Sequence, residues 1–77
     1  MKPIKYVMVN GCLPIIFDGF NHSDLKAVAT NITSAGFITF DGEGKVQTYG
    51  SSMTLNMFPA TTDAAIIQKY FDRARID

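Results

Sequence analysis

Apolar and polar positions alternate along most of this chain, which marks short strands before anything else. Ile4-Lys5-Tyr6-Val7-Met8-Val9 is rich in β-formers, and the Asn10-Gly11 behind it supplies the two positive-φ positions of a type I′ hairpin turn. The return arm runs from Cys12 to Phe17. Pro14 cannot donate to a ladder, so this arm belongs at a sheet edge. Asp18-Gly19 ends it, and Asn21 or Ser23 is placed to cap a short helix with Asp24 in its first turn. Leu25, Val28 and Ala29, at i, i+3 and i+4, give that helix one apolar stripe, which closes before Ile32-Thr33.

From Ala35 to Phe40, Phe37 and Thr39 share one face and Ile38 and Phe40 the other, the pattern of a strand covered on both sides. Asp41-Gly42-Glu43-Gly44 is a loop, and Lys45 to Tyr49 returns as the other arm of a second hairpin. Beyond Gly50-Ser51-Ser52, Met53, Leu55 and Met57 alternate with Thr54 and Asn56. This is a fifth strand, or the fourth bent at a glycine bulge. Pro59 and Thr61-Thr62-Asp63 then open the last helix, capped by Thr61 or Thr62, with Asp63 against the dipole. Its apolar stripe is Ile67, Tyr70, Phe71 and Ala74, and Arg73 and Arg75 put positive charge in the last turn. The order β-β-α-β-β-(β)-α predicts an α+β fold. It is a small antiparallel sheet of four to five strands, made of two hairpins, with two helices packed on one face and a single domain over 1–77.

Composition adds limits. An apolar share of 47% with 18% charged residues excludes disorder. A chain of this size removes roughly 7,600 Å² of surface on folding and leaves about 4,700 Å² exposed. With about 60% of the removed area apolar, burial contributes on the order of 115 kcal/mol, and ordering the chain costs about the same. Tight packing or a partner must supply the margin.

Seven Lys and Arg balance seven Asp and Glu, which leaves no net field for a polyanion or an anionic membrane. Lys69, Arg73 and Arg75 are the only cluster, diluted by Asp72 and Asp77, so nucleic acid is not the expected partner. The single Cys12 excludes an intrachain disulfide and a two-thiol metal site. The apolar stretch near the start is too short for a signal peptide, and no run approaches the ~20 apolar residues that span a bilayer. The cytoplasm of a bacterial host cell is the expected compartment.

Candidate chemistry is sparse. His22, with Asp18 and Asp24 near it in sequence, falls short of the three or four ligands of a zinc site and reads as a solvated histidine beside a helix start. Ser23-Asp24-Leu25-Lys26 fits the S-x-x-K pattern of a lysine-activated serine, but a chain this short has little material for an oxyanion hole in a sealed cleft. Gly42-Glu43-Gly44-Lys45 resembles a phosphate cradle, yet a strand rather than a helix follows it. No catalytic, cofactor-binding or metal-binding residue is assigned, and no cofactor is expected.

Six Phe and three Tyr are many for so small a core. Phe17, Phe20, Tyr49 and Phe58 adjoin turn signals and, with Met53 and Met57, form a candidate protein-contact surface; alternatively Phe20 and Phe58 staple their helices to the sheet. Phe37 to Phe40 and Met53-Thr54-Leu55 carry no charge, so these strands are central or pair with a second copy. A homodimer is expected.

Tyr6-Val7-Met8-Val9-Asn10-Gly11, Ile15-Ile16-Phe17, His22-Ser23-Asp24, Thr33-Ser34-Ala35-Gly36-Phe37 and Gly50-Ser51-Ser52-Met53-Thr54-Leu55, with Asp63-Ala64 after them, resemble small uncharacterised proteins carried by bacteriophages and prophages. That resemblance implies a genomic setting and no catalytic residue. The expected function is therefore a non-catalytic phage-type accessory protein that binds another protein, of host or phage, and itself forms a homodimer. The alternative is a ligand- or single-stranded nucleic-acid-binding module, with Phe37, Phe40 and Tyr49 stacking on bases and Lys45 and Arg73 to Arg75 near the phosphates.

Overall fold

The computed structural model describes residues 4–27, 30–53 and 55–76, with side chains for all of these except 23, 26, 27 and 74–76. Its elements are β1 (Ile4–Val9), β2 (Leu13–Phe17), a 3-10 helix (His22–Ala27), β3 (Ile32–Phe40), β4 (Val46–Tyr49) and α1 (Asp63–Ile76). The strands form one antiparallel sheet in the order β2-β1-β3-β4. The α+β class stands, and β2, which carries Pro14, lies at an edge as its missing N–H requires.

The first turn follows from its residues. Asn10 and Gly11 take φ of 55° and 72°, and the Cys12 N–H closes the turn on the Val9 carbonyl at 3.1 Å. The turn is also tied to β3. The Gly11 N–H donates to Thr33 Oγ1 at 2.9 Å, and the Asn31 amide donates to Asn10 Oδ1.

Lys5 apart, β1 is apolar on both sides, and Tyr6 to Val9 are buried. Tyr6 and Met8 join Ile38, Val46 and Ile67 in a core under α1, with Ile4, Ala64, Ile66 and Phe71 packed around it. Val7 points the other way and joins Leu25 and Ala35, with Ile15, Phe17, Ile32, Leu55 and Met57 around them. The two helical segments therefore lie on opposite faces, not on one. A strand apolar on both faces leaves a face wet unless each receives cover.

Three further expectations change. The first helix is a six-residue 3-10 segment in which Leu25 is buried; Val28 and Ala29, the rest of its stripe, lie outside the described residues. Asp24 Oδ2 accepts the Asn21 N–H at 2.9 Å, so the cap works from inside the helix. The fifth strand is instead a loop, closed by an isolated bridge between Ser52 and Met57. Its place beside β3 is taken by Phe58, whose carbonyl accepts the Ala35 N–H at 3.4 Å, and by Pro59. A Cβ on Gly36 would stand 2.7 Å from Pro59 Cγ, so only glycine admits that crossing. Gly50, with φ of 72°, ends β4 as a turn residue rather than a bulge. The uncharged β3 is an inner strand, which accounts for its lack of charge, and the free edges belong to β2 and β4.

Candidate functional site

Strand register builds the site. Lys5 pairs with Phe17 on one side and Phe37 on the other, and Phe37 pairs with Tyr49. Directly paired residues project to the same face, so Phe17, Lys5, Phe37 and Tyr49 make a row across all four strands. His22 joins this row from the 3-10 helix. Its ring meets Phe17 edge to face at 5.5 Å and Phe37 at 5.3 Å, and Phe37 stacks on Tyr49 at 5.5 Å. Nε2 of His22 donates to the Gly36 carbonyl at 2.8 Å, one residue beyond the last β3–β4 pair. The histidine is thus buried and structural, not solvated as its polar neighbours in sequence suggest.

Beside this row lies an open hollow of about 280 Å³. Lys5, Asn21, Ser51 and Ser52 bring polar groups to it, and His22, Phe37 and Met53 complete the lining, with no carboxylate among them. Lys5 is half-buried in an inner strand and has no ion-pair partner among the described residues.

The candidate contact residues divide. Met53 is 90% exposed, Phe58 67%, Phe20 62% and Tyr49 47%, so neither Phe20 nor Phe58 staples a helix. Phe17 and Met57 are half-buried and belong to the core under the 3-10 helix. Phe40 lies on the α1 face, in edge-to-face contact with Phe71 at 5.5 Å, and does not join Phe37 and Tyr49.

One cluster has no counterpart in the sequence reading beyond a favourable charge at a helix start. Oδ2 of Asp63 accepts hydrogen bonds from the Tyr6 hydroxyl at 2.6 Å, the Ser34 hydroxyl at 2.7 Å and the Ala60 N–H at 2.8 Å. All three side chains are buried. Burial pushes the Tyr6 hydroxyl well above its ordinary titration range, and the bond to the Asp63 carboxylate and its charge push the same way, against a smaller lowering from Thr48. A serine beside a carboxylate resembles a hydrolytic pair, but with both groups enclosed the arrangement is a tie: it fastens the start of α1 to β1 and β3. The available signal was a Tyr and a Ser on strand faces otherwise apolar.

The other motifs stay local. Asp41 Oδ1 accepts the Glu43 N–H at 2.8 Å and the Lys45 N–H at 2.9 Å, which closes the β3–β4 turn on itself. Those bonds, the one from Lys45 first, hold this carboxyl below its usual range. Cys12 is exposed at the hairpin tip. The side chains of Ser23 and Lys26 lie outside the described residues, as does that of Arg75. Among the described residues no group of three or more His, Cys, Asp or Glu could hold a metal ion, and no helix is long and apolar enough to cross a membrane. Comparison of the chain with protein-family models, curated proteins and solved structures finds no match to any of them.

Proposed function

We propose that this chain is a small accessory protein of the phage or prophage type that works by binding another protein and pairs with its own copy, without catalysis. The observation that supports it is the exposure of the large apolar side chains Phe20, Tyr49 and Met53 on a chain of zero net charge. Tyrosine and methionine at such a surface offer large contact area at little entropic cost. A phage setting makes occlusion of a host or defence protein the natural sub-case. The nucleic-acid alternative has less behind it, because Phe40 sits on the far face and Lys45 in the turn.

The test is molar mass by light scattering. The chain should run as a dimer, and Phe20→Ser/Tyr49→Ser should run as a monomer while keeping its circular dichroism. A monomeric mass for the unaltered chain, with no specific partner recovered from a bacterial lysate, overturns the proposal.

A further inference from the structure

We infer that the hollow beside Lys5 is a binding site for a small organic anion that carries a flat ring. This goes beyond the protein-binding proposal and does not depend on it. Lysine is a poor choice for an inner strand, where both neighbours are occupied and one face must be dry. Here it stands between Phe17 and Phe37, half-buried, with no ion-pair partner among the described residues. A half-buried cation is best stabilised by an anion, and among the described residues that line the hollow none provides one.

The remaining lining fits the rest of such a ligand. Asn21 and Ser51 add neutral donors that complement a carboxylate and cost little when vacant, because water reaches them. The Phe37 and His22 rings present aromatic surface, and the Met53 thioether favours contact with a ring edge. The volume, about 280 Å³, falls just under the range of roughly 300–1,000 Å³ that holds drug-sized ligands. The ligand class is therefore a compact aryl acid rather than a nucleotide or a long peptide. The plainer account is that the lysine stem lies along Phe17 and Phe37 while its ammonium reaches water. Under that account the hollow has no preference for charge.

Benzoate separates the two. Titrated into the ¹⁵N-labelled protein at moderate salt, it should give saturable amide shifts at Lys5, Asn21 and Ser51. Benzamide, the uncharged analogue, and acetate, the ringless one, should each bind at least about tenfold more weakly, a difference of about 1.4 kcal/mol. Lys5→Met keeps the stem and removes the charge, and Asn21→Asp sets an acid on the hollow at an exposed position; each should weaken benzoate at least about tenfold. Lys45→Met, in the distant turn, should leave it unchanged. The same titration on Phe20→Ser/Tyr49→Ser covers the case in which a second copy masks the hollow. Equal binding of benzoate and benzamide, indifference to Lys5→Met and Asn21→Asp, equal loss with Lys45→Met, or no saturable shift in either protein overturns the inference. A dimer with no benzoate site would leave the protein-binding proposal standing, and a monomer with one would do the reverse.

Discussion

Against α1 lies the larger core: Tyr6, Met8, Ile38, Val46 and Ile67 pack together, the buried polar groups of Tyr6, Ser34 and Asp63 satisfy one another, and an open hollow of about 410 Å³ beside Ile4, Ile16, Phe40 and Phe71 remains at the rim. On the opposite face a six-residue 3-10 helix and the 52–57 loop cover only part of the strands, and what they leave is a lysine, stacked rings and a hollow. The difference comes from the cover. A 14-residue helix brings Ala64, Ile66, Ile67 and Phe71 to its face of the sheet, while two turns of 3-10 helix bring Leu25 among the described residues. One face carries the buried polar tie and an apolar hollow at its rim, and the other carries Lys5 and a hollow with polar lining.

Disturbing the polar tie under α1 should have the largest effect. Asp63→Ala strands two buried donors, the Tyr6 and Ser34 hydroxyls, and the partly buried Ala60 N–H, and is expected to cost about 3–5 kcal/mol, a large share of the stability of a chain of this size, which urea unfolding followed by circular dichroism should report. Asp63→Asn keeps an acceptor and should lose less. Gly36→Ala comes next. Its Cβ would meet Pro59 Cγ at 2.7 Å and the Tyr49 carbonyl oxygen at 3.0 Å, for an expected loss of about 1–3 kcal/mol in urea unfolding.

Alkaline pH probes the same tie more gently. Below the ordinary tyrosine value of 10.0, folded and unfolded chains both keep the Tyr6 proton. Above it the unfolded chain releases the proton while burial and Asp63 hold it in the fold. Stability should therefore fall as pH rises past about 10, by up to about 1.4 kcal/mol per pH unit, and this component should vanish in Tyr6→Phe. The smallest effect on stability belongs to the open face. Phe20→Ser/Tyr49→Ser should change the free energy of unfolding of the protomer by only about 1 kcal/mol, chiefly through the lost stacking of Tyr49 on Phe37, while the proposed association is lost. A large loss there would mean that the open face also contributes to the core, and the contrast between the faces would fail.

What could be read from the sequence was local. β1 appears with the bounds its residues imply, the Asn10-Gly11 turn and the edge position of β2 follow from one dipeptide and one proline, and the last helix follows from Ile67 and Phe71 of its stripe, although Tyr70 is exposed and the side chain of Ala74 lies outside the described residues. The errors arose where distant parts of the chain compete for one place. Met53, Leu55 and Met57 alternate like a strand, but Phe58 and Pro59 occupy the neighbouring position on β3, so the segment loops out, with Leu55 and Met57 turned inward and Met53 outward. His22 looks polar beside Asn21 and Asp24, and only the fold brings Phe17, Phe37 and the Gly36 carbonyl around it. The hollow escaped for the same reason: Lys5, Asn21 and Ser51 are far apart in sequence, and no motif joins them.

The Ser34 hydroxyl at Asp63 has one more consequence. Residues alternate sides along β3, so a slip of one position against β1 would bring Thr33 or Ala35 to the opposite side from where each now lies and carry Ser34 away from the carboxylate. A misaligned sheet would then hold an enclosed negative charge short of a donor. A single oxygen atom at the mouth of α1 thus acts as a key that only one alignment of the strands can turn.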